Sequence, residues 1–374
     1  KLGIMSIVPS AIWVKRGMLE PKPARVSLET DDDSDEEDLT INVGDNMVVA
    51  VKCEDDDSSL VCHLYNHENS DWYVHHHYDL PAPALCVEQV LYDPGTEDRK
   101  GNLVGVGSMD SSVTIWDLDV VDLIEPIVTL GIAKNVDNIG KKKGEPVTTP
   151  IHDDSVLCLA WNRLMPHILA SSGADRRILL WDLDKAECGT VISSIGQIVA
   201  DLVWHPVEKT QLLAGAFEGA VHLVDCRTVE PNLCASWDFD GDVTKVRFDP
   251  FDPNVAFVAL ESGHLKQIDL RQVGKTLSTT RISDSLDDVF HGLSINALAK
   301  GMVVTTSGEF LKVWRPGNGG LQLLHSEKLD IGELLTVESC PDLAQIVVVG
   351  GRANDLVKTV DLSIFSAVGN YFNF

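Results

Sequence analysis

The stretch ILASSGADRRILLWDLD, Ile168 to Asp184, reads as a short apolar strand, a turn and an alternating strand that ends in Trp181-Asp182. This unit recurs, and the recurrence constrains the fold more than any other feature. Upstream, GVGSMDSSVTIWDLD carries Trp116-Asp117; downstream, AGAFEGAVHLVDCR carries Val224-Asp225 and VALESGHLKQIDLR carries Ile268-Asp269. VTTSGEFLKVWRPG follows with Trp314-Arg315, and VGGRANDLVKTVDLS with Val360-Asp361. A degenerate first copy, VKCEDDDSSLVCHLYN, ends at Tyr65-Asn66. From Asn66 the second members of the pairs step by 51, 65, 43, 44, 46 and 46 residues. Treating residues 131–150 as an insertion shortens the long step to about 45, the length of a four-stranded propeller blade.

Each unit carries the same order of elements. The third offers VLCLAWN, HILAS, ILLWDLD and GTVISSI, and the fourth IVADLVWHP, QLLAGAF, AVHLVDCR and LCASWDF. Alternation and short apolar runs bounded by turn residues mark strands, and helical periodicity is absent over most of the chain. A lone four-stranded sheet leaves two faces and two edges open. Seven such sheets stacked radially bury the faces, and closing the ring protects the edges. The sequence therefore predicts an all-β, seven-bladed β-propeller, one domain over residues 1–374. It places an acidic, proline-containing linker at 21–40 and a lysine-containing insertion at 131–150, between blades 2 and 3. Closure requires one terminus to complete the other's blade. The last repeat shows only three strands, and Ile4–Val8, rather than the tail FSAVGNYFNF, is expected to add its outer one.

Charge narrows the partners. With 57 acidic and 30 basic residues the formal charge is −27, which opposes broad attraction to nucleic acid or anionic membranes and favours basic protein partners. The eight cysteines are scattered with no C-x-x-C pair, so they read as reduced thiols, mostly small core residues. No run approaches the roughly 20 apolar residues that a membrane helix needs. The opening KLGIMSIVPSAIWVKRG lacks a small-residue cleavage site and is broken by Pro9, so it reads as a strand rather than a signal peptide.

Three further segments carry chemical possibilities. In DWYVHHHYDLP, a regular strand would turn His75 and His77 to one side and His76 to the other, so the three cannot converge on a metal; an edge-strand surface is expected and no metal site. Lys141, Lys142 and Lys143 form the one basic run, either a solvated loop, a nuclear-localisation element or a contact to RNA phosphate. The acidic run Asp31–Asp38 reads as a disordered linker or as a docking arm for basic proteins, with Ser34 set among acids as a site for phosphorylation. No phosphate-binding loop, dinucleotide-binding glycine motif or nucleophile elbow is present, and neither a cofactor nor a small-molecule substrate is expected.

Four-stranded units ending in Trp-Asp resemble WD40 repeats. That resemblance assigns blade-motif positions to Asp110, Trp116, Asp117, Asp182, Asp225, Asp269, Trp314 and Asp361. In blade 3 it implies a hydrogen-bonded tetrad of His152, Ser171, Asp175 and Trp181, which makes a buried carboxylate tolerable. The same residues imitate a Ser–His–Asp triad, but Trp181 and the repeat register account for all four without chemistry. Only blade 3 has the full set: blade 4 has Glu218 and Val224, and blade 6 has Gly308 opposite Trp314. Such decay fits a scaffold, and no catalytic residue is expected.

More specific stretches narrow the family. SAIWVKRGM, WYVHHHYDLP, VTIWDLDVVDLIEPIVTLG leading into the lysine-containing insertion, SVLCLAWNRLMPHILASSGADRRILLWDLDKAECG and VWHPVEKTQLLAGAFEGAVHLVDCR occur in that order. Together they resemble the periodic tryptophan protein 1 family. The family's acidic region and lysine run are longer than those here. The resemblance implies a nucleolar, nuclear protein that acts without catalysis in making the large (60S) ribosomal subunit. Its expected partners are assembly and ribosomal proteins of the pre-60S particle, with contact to pre-ribosomal RNA. The alternative is a chromatin-associated module that reads histone tails. Candidate contacts are Lys141–Lys143, Arg176 and Arg177 at a blade-3 turn, and Arg227, Arg271 and Arg315 on the opposite rim. Pairing of these arginines with nearby aspartates is the competing expectation.

Overall fold

A computed structural model of the chain describes residues 6–14, 41–42, 44–54, 57–131, 150–227, 232–283, 290–352 and 357–374. The described residues form seven antiparallel sheets whose inner strands pack side by side in a closed ring. The architecture is a seven-bladed β-propeller. Blade 3 is Val156–Trp161, Ile168–Gly173, Ile178–Asp182 and Glu187–Ile192, from the inside outwards. Blades 2, 4, 5 and 6 repeat that four-strand order. The expected linker and the core of the expected insertion, with Lys141–Lys143, lie outside the described residues. Helix is limited, among the described residues, to Ser366–Phe372 and two single 3-10 turns.

Burial follows strand position. Second strands such as Leu103–Ser108 and Ile346–Gly351 are buried along their whole length, which is why they read as continuous apolar runs. Outer strands such as Thr276–Arg281 alternate with solvent. Apolar layers lie between successive blades, each drawing on two neighbouring sheets. Trp181, for example, packs with Val113 and Ile115 of blade 2, and Trp314 with Phe257 of blade 5.

Ring closure differs from the expectation. Ser6–Ile7 and Ala11–Val14 do not extend the last blade; they pair with Asp45–Glu54 as the inner strand of blade 1. The register slips by one residue around Pro9, which has no N–H to give to a ladder. The inner strand of blade 1 nevertheless reaches blade 7. The Val8 N–H donates to Gly351 O at 3.1 Å, and the Trp13 indole N–H to Glu338 O at 3.0 Å. A Cβ on Gly350 would stand 2.6 Å from a Val8 methyl carbon, so glycine lets the two blades meet. Blade 7 keeps three strands, Leu334–Ser339, Ile346–Gly351 and Val357–Asp361. A cavity of about 900 Å³, lined by Val357 and Thr359 on one side and Trp72 and Val74 on the other, lies beside its open edge. The C-terminal tail turns into helix Ser366–Phe372 and packs on the outer strand of blade 6, where Phe365 stacks on His325 at 4.0 Å.

Candidate functional site

The blade-3 tetrad is assembled from two strands and two connecting segments. The loop before the inner strand brings His152, the second strand Ser171, the following turn Asp175 and the third strand Trp181. An indole N–H can only donate, so Trp181 Nε1 gives its hydrogen to Ser171 Oγ at 2.8 Å. The Ser171 hydroxyl then donates to His152 Nε2, 2.7 Å away, which leaves the imidazole proton on Nδ1, 3.0 Å from Asp175 Oδ2. Asp175 also accepts the backbone N–H groups of Asp153 and Arg177. Burial pushes the Asp175 carboxyl up, but these N–H groups and His152 outweigh it and hold it below the usual carboxylate range. Burial likewise lowers the His152 imidazole despite its carboxylate partner, so it is neutral. Ser171 has no exposed surface and His152 is 1% exposed. The order of bonds is that of a hydrolase triad, but the hydroxyl has no exposed surface for a reactant to reach, and one of its two lone pairs is taken by Trp181.

Elsewhere the same tryptophan is satisfied more simply. Trp314 donates to Thr305 Oγ1 at 2.8 Å, and Trp116 to Thr114 Oγ1 at 3.1 Å. Asp110 closes its own turn through Ser112.

The aspartate after the tryptophan position has a separate role. Asp117, Asp182, Asp225, Asp269 and Asp361 each accept the backbone N–H two residues on, at 2.9, 3.1, 3.0, 2.9 and 2.8 Å. Asn66 does the same toward Glu68 at 3.0 Å. The carboxylate or amide thus imitates a backbone acceptor and reverses the chain after the third strand. In blade 6 Arg315 takes this place, and the strand runs on to Gly317 before turning.

The candidate arginines divide. Arg227 and Arg271 form forks on Asp225 and Asp269, two residues back. Arg315 bonds Gln322 and lies 4.8 Å from the Tyr371 ring centre. Arg177 is held by Asp175, Asp153 and the Ile151 carbonyl. Arg176 is exposed, in a left-handed conformation at φ 64°, and its guanidinium makes no hydrogen bond or ion pair with a described residue.

The three histidines depart from simple alternation. Asp71–Leu80 is the outer strand of blade 1, and its pairing slips where Cys62 faces His76 but His63 faces Val74. His75 is the extra residue, and the bulge brings its Nδ1 to 2.6 Å from that of His76. His76 is buried rather than displayed and bonds Tyr78 Oη at 2.8 Å. Tyr78 in turn donates to the carbonyls of Asp117 and Val120. Among the described residues no three His, Cys, Asp or Glu side chains are placed to hold a metal ion.

Known proteins share this architecture. The family model for the WD domain, G-beta repeat, matches residues 144–182. A solved chain in the crystal structure of a mitotic checkpoint complex superposes with a TM-score of 0.60 at 16% identity, over 86% of this chain and 84% of that one; this likeness is one of fold. The periodic tryptophan protein 1 homolog of Drosophila melanogaster is 32% identical over 87% of this chain and 69% of its own length. Periodic tryptophan protein 1 of Saccharomyces cerevisiae is 29% identical over 90% of this chain and 67% of its own. Both alignments span most of this chain, not one repeat. The chain belongs to the periodic tryptophan protein 1 family.

Proposed function

We propose that the protein is a non-catalytic scaffold in assembly of the large ribosomal subunit, working in the nucleolus and nucleus. The observation that carries this reading is the similarity to periodic tryptophan protein 1 over most of the chain, joined to a blade-3 network whose one serine hydroxyl is sealed. A rigid ring with every blade cross-braced suits a platform, since loops on a fixed frame can hold several partners at once. The partners are pre-60S assembly and ribosomal proteins. Contact to pre-ribosomal RNA falls to Lys141–Lys143 and to the unpaired Arg176; Arg227 and Arg271 brace their own turns.

Depletion in cells tests the reading. Precursors of the large-subunit RNAs should accumulate while small-subunit processing proceeds. Normal large-subunit processing, or co-purification with histones in place of ribosomal proteins, would sink it.

A further inference from the structure

A tripeptide recurs at the turn between the first and second strands of four successive blades: Asn162-Arg163-Leu164, His205-Pro206-Val207, Asp249-Pro250-Phe251 and Asn296-Ala297-Leu298. In each, the first side chain accepts the backbone N–H of the third residue, at 3.0, 3.1, 2.9 and 2.9 Å. This bond fixes the turn, and the third side chain is left facing solvent. Leu164, Val207, Phe251 and Leu298 are 46%, 62%, 41% and 51% exposed. Asn162 and Asn296 also donate to the next blade, at Lys209 O and Ala344 O, both at 2.8 Å. The blade-3 turn is therefore tied to blade 4, and the blade-6 turn to blade 7. Apolar residues held outward by the same device in four consecutive blades form a rigid crown, unlike exposed residues scattered singly.

The crown lies on blades 3 to 6, beside one side of the mouth of the central channel. A cavity of about 590 Å³ runs between these turns and the inner strands, with Leu164, Pro206, Pro250 and Ala297 at its rim. Inside it, Asp201 is neutralised by Arg247 at 2.6 Å and Lys245 at 3.6 Å. Two other carboxylates face the same space without such a partner. Glu88 accepts only the Trp161 N–H at 3.3 Å, and Glu338 only the Ser294 hydroxyl at 3.1 Å. Neither makes a salt bridge with a described residue. Arg247 also acts on Glu88 and Glu338 from across the channel, but behind the apolar rim neither carboxylate has an ion pair of its own among the described residues.

We propose that this face docks a partner protein, which seats apolar side chains on Leu164, Val207, Phe251 and Leu298 and sends one lysine or arginine side chain into the channel toward Glu88 and Glu338. An apolar rim over two carboxylates that lack an ion pair of their own suits a protein side chain better than RNA, whose phosphates those carboxylates would repel. The burial that pushes the Glu88 carboxyl up to about 7 would be offset by an arriving cation. The proposal rests on the reading of the protein as a scaffold, but not on which particle it joins.

Photocrosslinking in the full chain tests it. Benzoyl-phenylalanine replaces Val207 or Leu298 on this face, and Met109 or Phe310 on the opposite one. The first two positions should capture the same protein, through a peptide that holds a lysine or arginine among apolar residues. E88Q/E338Q should lower adduct yield roughly tenfold or more, because a desolvated charge pair is lost, without lowering the melting temperature. Adducts with RNA or with a second copy of this chain, capture only from Met109 and Phe310, or a yield indifferent to E88Q/E338Q would overturn the proposal. Protein adducts in a chain that does not sediment with large-subunit precursors would uphold the face and sink the ribosomal reading. Particle binding without those adducts would do the reverse.

Discussion

Trp181 donates its indole N–H to Ser171 Oγ over 2.8 Å, and that bond fixes the place of every other proton in the blade-3 network. Replacing Ser171 with alanine leaves the Trp181 N–H and His152 Nε2 buried with no partner. Each stranded group costs about 1–3 kcal/mol, so S171A should lower stability by about 2–6 kcal/mol in a denaturant titration. D175A should be destabilising too, and the double variant less than additive, since the residues act as one unit. A D175A chain that melts like the wild type would remove the structural role.

The turn aspartates and their arginines predict an asymmetry. Asp269 accepts the Arg271 backbone N–H and its guanidinium, but the Arg271 side chain is largely exposed. R271A should cost under about 1 kcal/mol, as exposed ion pairs do. D269A removes the acceptor that reverses the chain and should cost about 1.5–3 kcal/mol. Equal losses would mean that the ion pair, not the turn, is what matters.

Acid should loosen blade 1. Burial, with His75 and His77 beside it, lowers the His76 imidazole to about 3, and burial lowers His63 to about 4. Both are neutral in the folded chain and take up protons more readily when unfolded. Their contribution is present above the unfolded value near 6.5 and is lost as pH falls toward 3–4. Each such group costs at most about 2 kcal/mol on going from pH 7 to 5. H76Q keeps an N–H for Tyr78 and should flatten the melting profile between those pH values; an unchanged slope would contradict the assignment.

Glu88 runs the other way. Burial, only partly countered by Arg163, raises its carboxyl to about 7. Its neutral form is favoured on folding, so its contribution is full below the unfolded value near 4.5 and lost as pH rises through 7. E88Q should raise the melting temperature at pH 8 and leave it unchanged at pH 5. A lower melting temperature at pH 8 would show that the charged form is stabilised in the channel.

Much of the ring is legible because its energetics repeat. The third strand that ends on an acceptor, as at Trp181-Asp182, returns in six of the seven blades, since each must reverse the chain there. Closure is not legible in the same way. Ile4–Val8 reads as a strand, but which sheet it joins depends on contacts from Trp13 and Val8 to Glu338 and Gly351, more than 300 residues away. His75 departs from the expected alternation because alternation cannot announce a bulge. Nothing in the strand pattern singles out Leu164, Val207, Phe251 and Leu298; the bond from the side chain two residues earlier fixes the turns that leave them facing out. That signal, a polar acceptor two residues before an apolar residue, stands in the sequence in four blades. Glu88 and Glu338 share a channel with no sequence pattern to link them.

The most direct test of the scaffold assignment is to tag the full chain in cells, resolve the extract on a density gradient and sequence the RNA that purifies with it. The account predicts co-sedimentation with large-subunit precursors and enrichment of their RNA, retained in the S171T variant, which keeps the hydroxyl. Sedimentation as a free protein, or with RNA of the small subunit alone, would contradict it.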